Sequence, residues 1–137
     1  LSLALVLASV CVAAQQRPSR PPVAAPAPQP PPPPPAPVYE PMLLRLAEIL
    51  GALAHLSELC APPGVDSEIY RARMRDLIDA EGQNEAMRDR LAGSFNRGLV
   101  GYQASHVACT PASRLAMDRL IAEGTRLAQD IAARFGS

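Results

Sequence analysis

The chain has no tryptophan and no lysine, and only two phenylalanines and three tyrosines among 137 residues. With aromatic content at 4%, any core must be built from Leu, Ile, Ala and Met. All 13 basic residues are arginine and are balanced by 13 acids, so the net charge is zero. A neutral chain has no electrostatic basis for holding nucleic acid or an anionic membrane surface. No run of useful length alternates apolar and polar residues as a half-buried strand does, and no internal repeat is present. GxSxG, Walker, dinucleotide-binding and HExxH patterns are all absent, which leaves the common catalytic signatures without support.

Residues 1 to 16 carry an export-like leader. Leu1 to Ala14 is apolar and uncharged, too short for the ~20 residues of a membrane-spanning helix. Val12-Ala13-Ala14 offers small residues for cleavage before Gln15. An uncleaved anchor is the alternative, and is the only route to a membrane that the sequence suggests. Residues 17 to 41 form a proline-rich linker that holds 13 of the 16 prolines, including Pro30 to Pro35. Proline cannot donate a backbone hydrogen bond and biases its predecessor to extended geometry, so a disordered or polyproline II arm reaching at most about 75 Å is expected. Such an arm serves as a spacer, or as a PxxP ligand for a partner.

From Met42 to Ser137 the periodicity becomes helical, and about 96 residues are left to form one small domain. Four helices are expected. The first runs from Pro41 to Cys60, with Leu43, Leu46, Leu50, Leu53, Ala54 and Cys60 on a broad apolar face. The second starts after Asp66 or Ser67 and stops at Gly82, with Ile69, Tyr70, Met74, Leu77 and Ile78 as its stripe. The third starts near Asn84 and extends toward Cys109. Its edge is a stripe of small residues, Ser94, Gly98, Gly101 and Ser105, which points either to close backbone packing or to a break near Gly98 to Gly101. The fourth begins at Thr110-Pro111, an N-cap followed by proline, and runs to Arg134. Short loops and amphipathic segments favour an all-α fold, a small antiparallel four-helix bundle.

Cys60 and Cys109 each end a helix, the first and the third, and an up-down-up-down bundle brings those ends to one pole. In an exported protein the pair is expected as a disulfide. Closing that loop stabilises by about 4 kcal/mol in the chain-entropy model. Two unrelated buried thiols are the alternative. A zinc site would have to recruit His55 and His106. His55 lies about 140° around the helix from Cys60, so it points elsewhere, and no metal or other cofactor is expected. On the same phasing His55 is a surface residue and His106 an interfacial one. A Cys109–His106 nucleophile would need a free thiolate, which the disulfide removes. No catalytic residue is assigned.

Several segments resemble an uncharacterised family of exported alphaproteobacterial proteins that carries a domain of unknown function. They are Leu46-Ala47-Glu48-Ile49-Leu50-Gly51-Ala52-Leu53, Cys60, Phe95-Asn96-Arg97-Gly98, Cys109-Thr110-Pro111-Ala112 and Glu123 to Ile131. The resemblance implies an envelope location and supports the cysteine pair, and it carries no activity. Asn96, Arg97 and Gly98 are its most specific local signature and the candidate binding residues, with Arg97 able instead to brace a neighbouring group. The function expected is a non-catalytic interaction module of the envelope, its partner an envelope protein or cell-wall component. A binder of a small molecule or cell-wall fragment near Gly98 to Gly101 is the alternative, and an enzyme the third. Leu44, Leu59 and Leu115 are candidates for an exposed apolar patch.

Overall fold

In the computed structural model the described residues are 28–32 and 35–136; the leader and most of the proline-rich linker lie outside them. Residues 28–32 and 35–37 have no regular secondary structure, and the helical domain follows. It consists of α1 (Glu40–Cys60), α2 (Ile69–Glu81), α3 (Glu85–Ser105) and α4 (Pro111–Phe135), with no strand among the described residues.

The helix ends follow from local chemistry. Pro41 sits in the first turn of α1, where its missing N–H would have had no partner in any case. Asn84 caps α3 by accepting from the Met87 amide at 2.9 Å, and Thr110 caps α4 by accepting from the Ser113 amide at 3.1 Å. Asp66 is not the cap of α2. Its carboxylate accepts from the Glu68 amide in a turn, and α2 starts one step later, at Ile69. α3 is unbroken through Gly98 and Gly101 but stops at Ser105. Cys109 therefore lies in the connection to α4 and not in a helix, contrary to the sequence expectation.

Helix directions alternate, as expected. Arg90 reaches Glu40 near one end of α1 and Cys109 meets Cys60 at the other, so α1 and α3 run parallel. Tyr39 pairs with Glu81 and Glu58 with Arg71, so α2 runs antiparallel to α1. Arg45 pairs with Glu123, and Tyr39 stacks at an angle on Phe135 with ring centroids 5.1 Å apart, so α4 is antiparallel as well.

The packing departs from a square bundle. α1 and α3, which would be diagonal, make the most extensive helix–helix contact, while α4 packs against α1 alone and α2 and α4 do not meet. Glycine makes this possible. A Cβ on Gly51 would overlap the Phe95 carbonyl oxygen and lie 2.9 Å from the Leu99 amide nitrogen. A Cβ on Gly98 would overlap the Glu48 carbonyl oxygen and lie 3.0 Å from the Ala52 nitrogen. Two backbones cross where neither helix has a side chain, so the diagonal closes. The gain in dispersion contact offsets the intrinsic cost of about 1 kcal/mol for each mid-helix glycine.

Closing one diagonal turns α1 into the central helix. Every residue from Ile49 to Ser57 is buried, so α1 has no wet face at that level. One cluster joins Leu43, Ala47 and Leu50 to Met74, Met87 and Leu91. A second joins Ile49, Ala52, Leu53 and Leu56 to Leu120, with Tyr70 packed against both. His55, expected at the surface, is 9% exposed. Its Nε2–H donates to the His106 carbonyl at 2.7 Å, so the buried ring has a partner. Conversely, Ile69 was expected in the apolar stripe of α2 but is 46% exposed.

Candidate functional site

The sequence-selected residues do not assemble into one site. Gly98 is buried against the α1 backbone, so nothing can bind at its surface. Gly101, one turn on, has open space around it, and Ser105 is exposed. Asn96 and Arg97 are exposed on the outer side of α3. The Arg97 Nη2 donates to Ser94 Oγ at 2.7 Å, so the guanidinium braces its own helix. It edges a shallow hollow of about 330 Å³ with Leu44, Asp89 and Arg90. Of the expected apolar patch, Leu115 is 50% exposed, while Leu44 and Leu59 are half-buried.

At the far pole the cysteines do meet. Cys60 and Cys109 are placed as a disulfide, with Cα atoms 5.0 Å apart and a sequence separation of 49. The His55–His106 hydrogen bond lies beside it, and the His106 ring stacks on Tyr102 with centroids 5.3 Å apart. This end of the molecule is pinned by a covalent bond and a partly buried hydrogen bond.

A larger concavity lies elsewhere, at none of the candidate binding residues. It is a consequence of the closed α1–α3 diagonal. Because α2 and α4 flank α1 without meeting, an open groove of about 580 Å³ runs between them on the side of α1 away from α3. Its floor is Leu46, Ile49, Leu50 and Leu53 of α1, spaced to form a continuous stripe on one helix face. One wall is Tyr70, Arg73, Asp76 and Leu77 of α2; the other is Ile121, Gly124, Thr125, Ala128 and Gln129 of α4. Gly124 lets α4 sit low, since a Cβ there would already be 3.3 Å from Ile49.

A second hollow of about 290 Å³ continues the groove toward Tyr39 and Phe135, sharing Leu46, Leu77 and Ala128 with the first. The floor thus extends from Leu53 to Leu43, about 15 Å along the helix axis. The sequence signal was present. Ile49 to Ser57 contains no charged side chain except a titratable His55, too long an apolar arc for a helix with one wet face.

The groove is neutral and apolar at its base, with polar groups at the rims. Burial raises the Tyr70 hydroxyl above its ordinary pKa of 10.0, so it stays protonated as a donor. Arg73 and Asp76 are exposed, and neither has an ion-pair partner among the described residues. The outer walls are braced elsewhere. Arg45 makes a two-pronged contact to Glu123 at 2.8 and 3.0 Å, tying α4 to α1, and Arg71 ties α2 to Glu58 at 2.7 Å. The site therefore offers apolar adhesion framed by polar edges. No cluster of three or more metal-ligating side chains exists among the described residues, nor is any helix there long and apolar enough to cross a membrane.

No curated protein and no solved structure matches the chain. A family described as a protein of unknown function (DUF2385) matches residues 38–135, which spans all four helices, the cysteine pair and the groove. The chain belongs to the DUF2385 family.

Proposed function

We propose that this protein is a non-catalytic interaction module of the cell envelope, and that the groove between α2 and α4 is its binding surface. The observation that carries this is the groove itself: an aliphatic floor about 15 Å long, open along its length and polar only at the rims. A small ligand is usually enclosed over most of its surface, whereas an open trough on a helix face suits a helix or chain laid along it. The Cys60–Cys109 disulfide is compatible with an oxidising compartment outside the cytoplasm. The proline-rich residues before the domain suit a spacer that presents it to a partner.

A photo-crosslinking amino acid placed at Thr125, on the α4 wall, tests this in the native envelope, with Asn96 on the outer side of α3 as the control. Both positions are exposed, so neither change threatens the fold. Defined adducts at Thr125 and none at Asn96 are expected. Absence of adducts at Thr125, or the same adducts at both, overturns the assignment.

A further inference from the structure

We infer that the partner seated over this groove is a second copy of the chain, docked by antiparallel two-fold pairing of α2 with its counterpart. This rests on the groove being an interaction surface and names what covers it. The reason is the charge order of α2. Arg71, Arg73 and Arg75 all precede Asp76, Asp79 and Glu81. Basic residues toward the start of a helix and acids toward its end oppose the helix dipole, so the order is unfavourable for α2 alone. It becomes favourable when another helix of the same sequence lies antiparallel, because each basic half then faces an acidic half.

The free charges are placed for this pairing. Arg71 is engaged by Glu58 and Glu68, and Glu81 by Tyr39, all within the chain. Arg73 and Asp76 are left exposed at the edge of the groove with no ion-pair partner among the described residues. Together with Ile69 and Ala80 they form one outer stripe of α2, at spacings of four, three and four residues. A two-fold axis passing between Met74 and Arg75 sets Arg73 against Asp76 of the other copy, and Asp76 against its Arg73. The same axis sets exposed Ile69 against the other copy's Ala80. One operator satisfies both of these pairings, as an isologous interface requires. A parallel arrangement would set like charges together.

Because Arg73 and Asp76 belong to the groove's own wall, a helix paired on that edge lies across the groove mouth. α2 is 13 residues, about 20 Å, long enough to span the 15 Å floor. Each copy would cover the groove of the other.

Sedimentation analysis of the full exported, oxidised chain at low ionic strength tests this. The wild type is expected to dimerise. Arg73→Asp and Asp76→Arg should each weaken the dimer by roughly tenfold or more, because each substitution sets like charges together at two symmetric positions. The combined R73D/D76R chain restores opposite charges across the axis and should recover the dimer. Melting temperatures of the variants serve as the fold control. A wild type that stays monomeric at high micromolar concentration overturns the inference. So does a dimer indifferent to the single reversals, or one not recovered by the double. A monomeric chain whose Thr125 probe captures a different protein leaves the groove assignment standing and removes the second copy as its occupant. A charge-dependent dimer with no adduct at Thr125 places the pairing off the groove, and overturns this inference too.

Discussion

The His55 Nε2 lies 2.7 Å from the carbonyl oxygen of His106, so a buried ring on α1 holds the turn where α3 ends. A carbonyl only accepts, so the proton is on Nε2. Replacing His55 with Leu leaves that carbonyl short of its donor and is expected to cost about 1–3 kcal/mol. Urea denaturation of the oxidised protein checks this. Hydrogen exchange at the His106 amide, which donates to the Tyr102 carbonyl at 2.8 Å, should rise in the same variant, because the turn loses its anchor while the disulfide remains.

The disulfide itself closes a long loop between the end of α1 and the start of α4. Removing it by replacing Cys60 and Cys109 together with Ser should lower stability by about 4 kcal/mol if unfolded-chain entropy dominates. Peptide mass spectrometry of the unreduced wild type should recover Cys60 joined to Cys109. Two alkylatable thiols in the exported protein would contradict the pairing.

Arg45 and Glu123 give a pH dependence whose sign is fixed. The hydrogen bond from Arg45, aided by its charge and that of Arg126, holds the Glu123 carboxyl below its ordinary 4.5. A depressed carboxylate contributes stability that is present above the unfolded value and is lost as pH falls through the folded one. The stability difference between wild type and Glu123→Gln should therefore be present near neutrality and shrink as pH drops below about 4.5. Both side chains are about a third or more exposed, so the difference is expected to be small, about 0.5–1 kcal/mol after solvent screening. Chemical denaturation of both proteins across that range is the check. A difference that grows toward acid would contradict the assignment.

Much of the fold was legible because its signals are local. The cap at Asn84, the Thr110-Pro111 start of α4, the Gly82 stop and the helical spacing from Met42 onward each depend on a few neighbouring residues. The alternating directions, and with them the meeting of Cys60 and Cys109, followed from short loops. What was not legible depends on which helices touch. Gly51 drew no attention as an isolated mid-helix glycine, and gains meaning only beside Gly98 on a helix some 47 positions later. His55 looked wet because helical phasing assumes one dry face, whereas α1 has none that is fully wet along Ile49 to Ser57.

The candidate site depends on the same contacts between helices. Asn96-Arg97-Gly98 is a distinctive local string, but Gly98 serves the helix crossing and Arg97 contacts a serine on its own helix. The apolar arc of α1 is visible in the sequence, but the opening of the groove depends on α2 and α4 not touching, which no string of residues records.

The closure of α1 on α3 is the feature from which the central helix and the open groove both follow, and three alanine substitutions test it most directly. Gly98→Ala and Gly51→Ala each force a Cβ into the opposing backbone and should destabilise by about 1–3 kcal/mol, lowering the melting temperature by roughly 4–8 °C per kcal/mol. Gly101→Ala, three residues beyond Gly98 on the same helix but facing open space, should leave the melting temperature unchanged or raise it, since alanine favours the helix by up to about 1 kcal/mol. If thermal melts show the three variants equally stable, or Gly101→Ala the most damaging, α1 and α3 do not meet at Gly51 and Gly98 and the groove between α2 and α4 loses its basis.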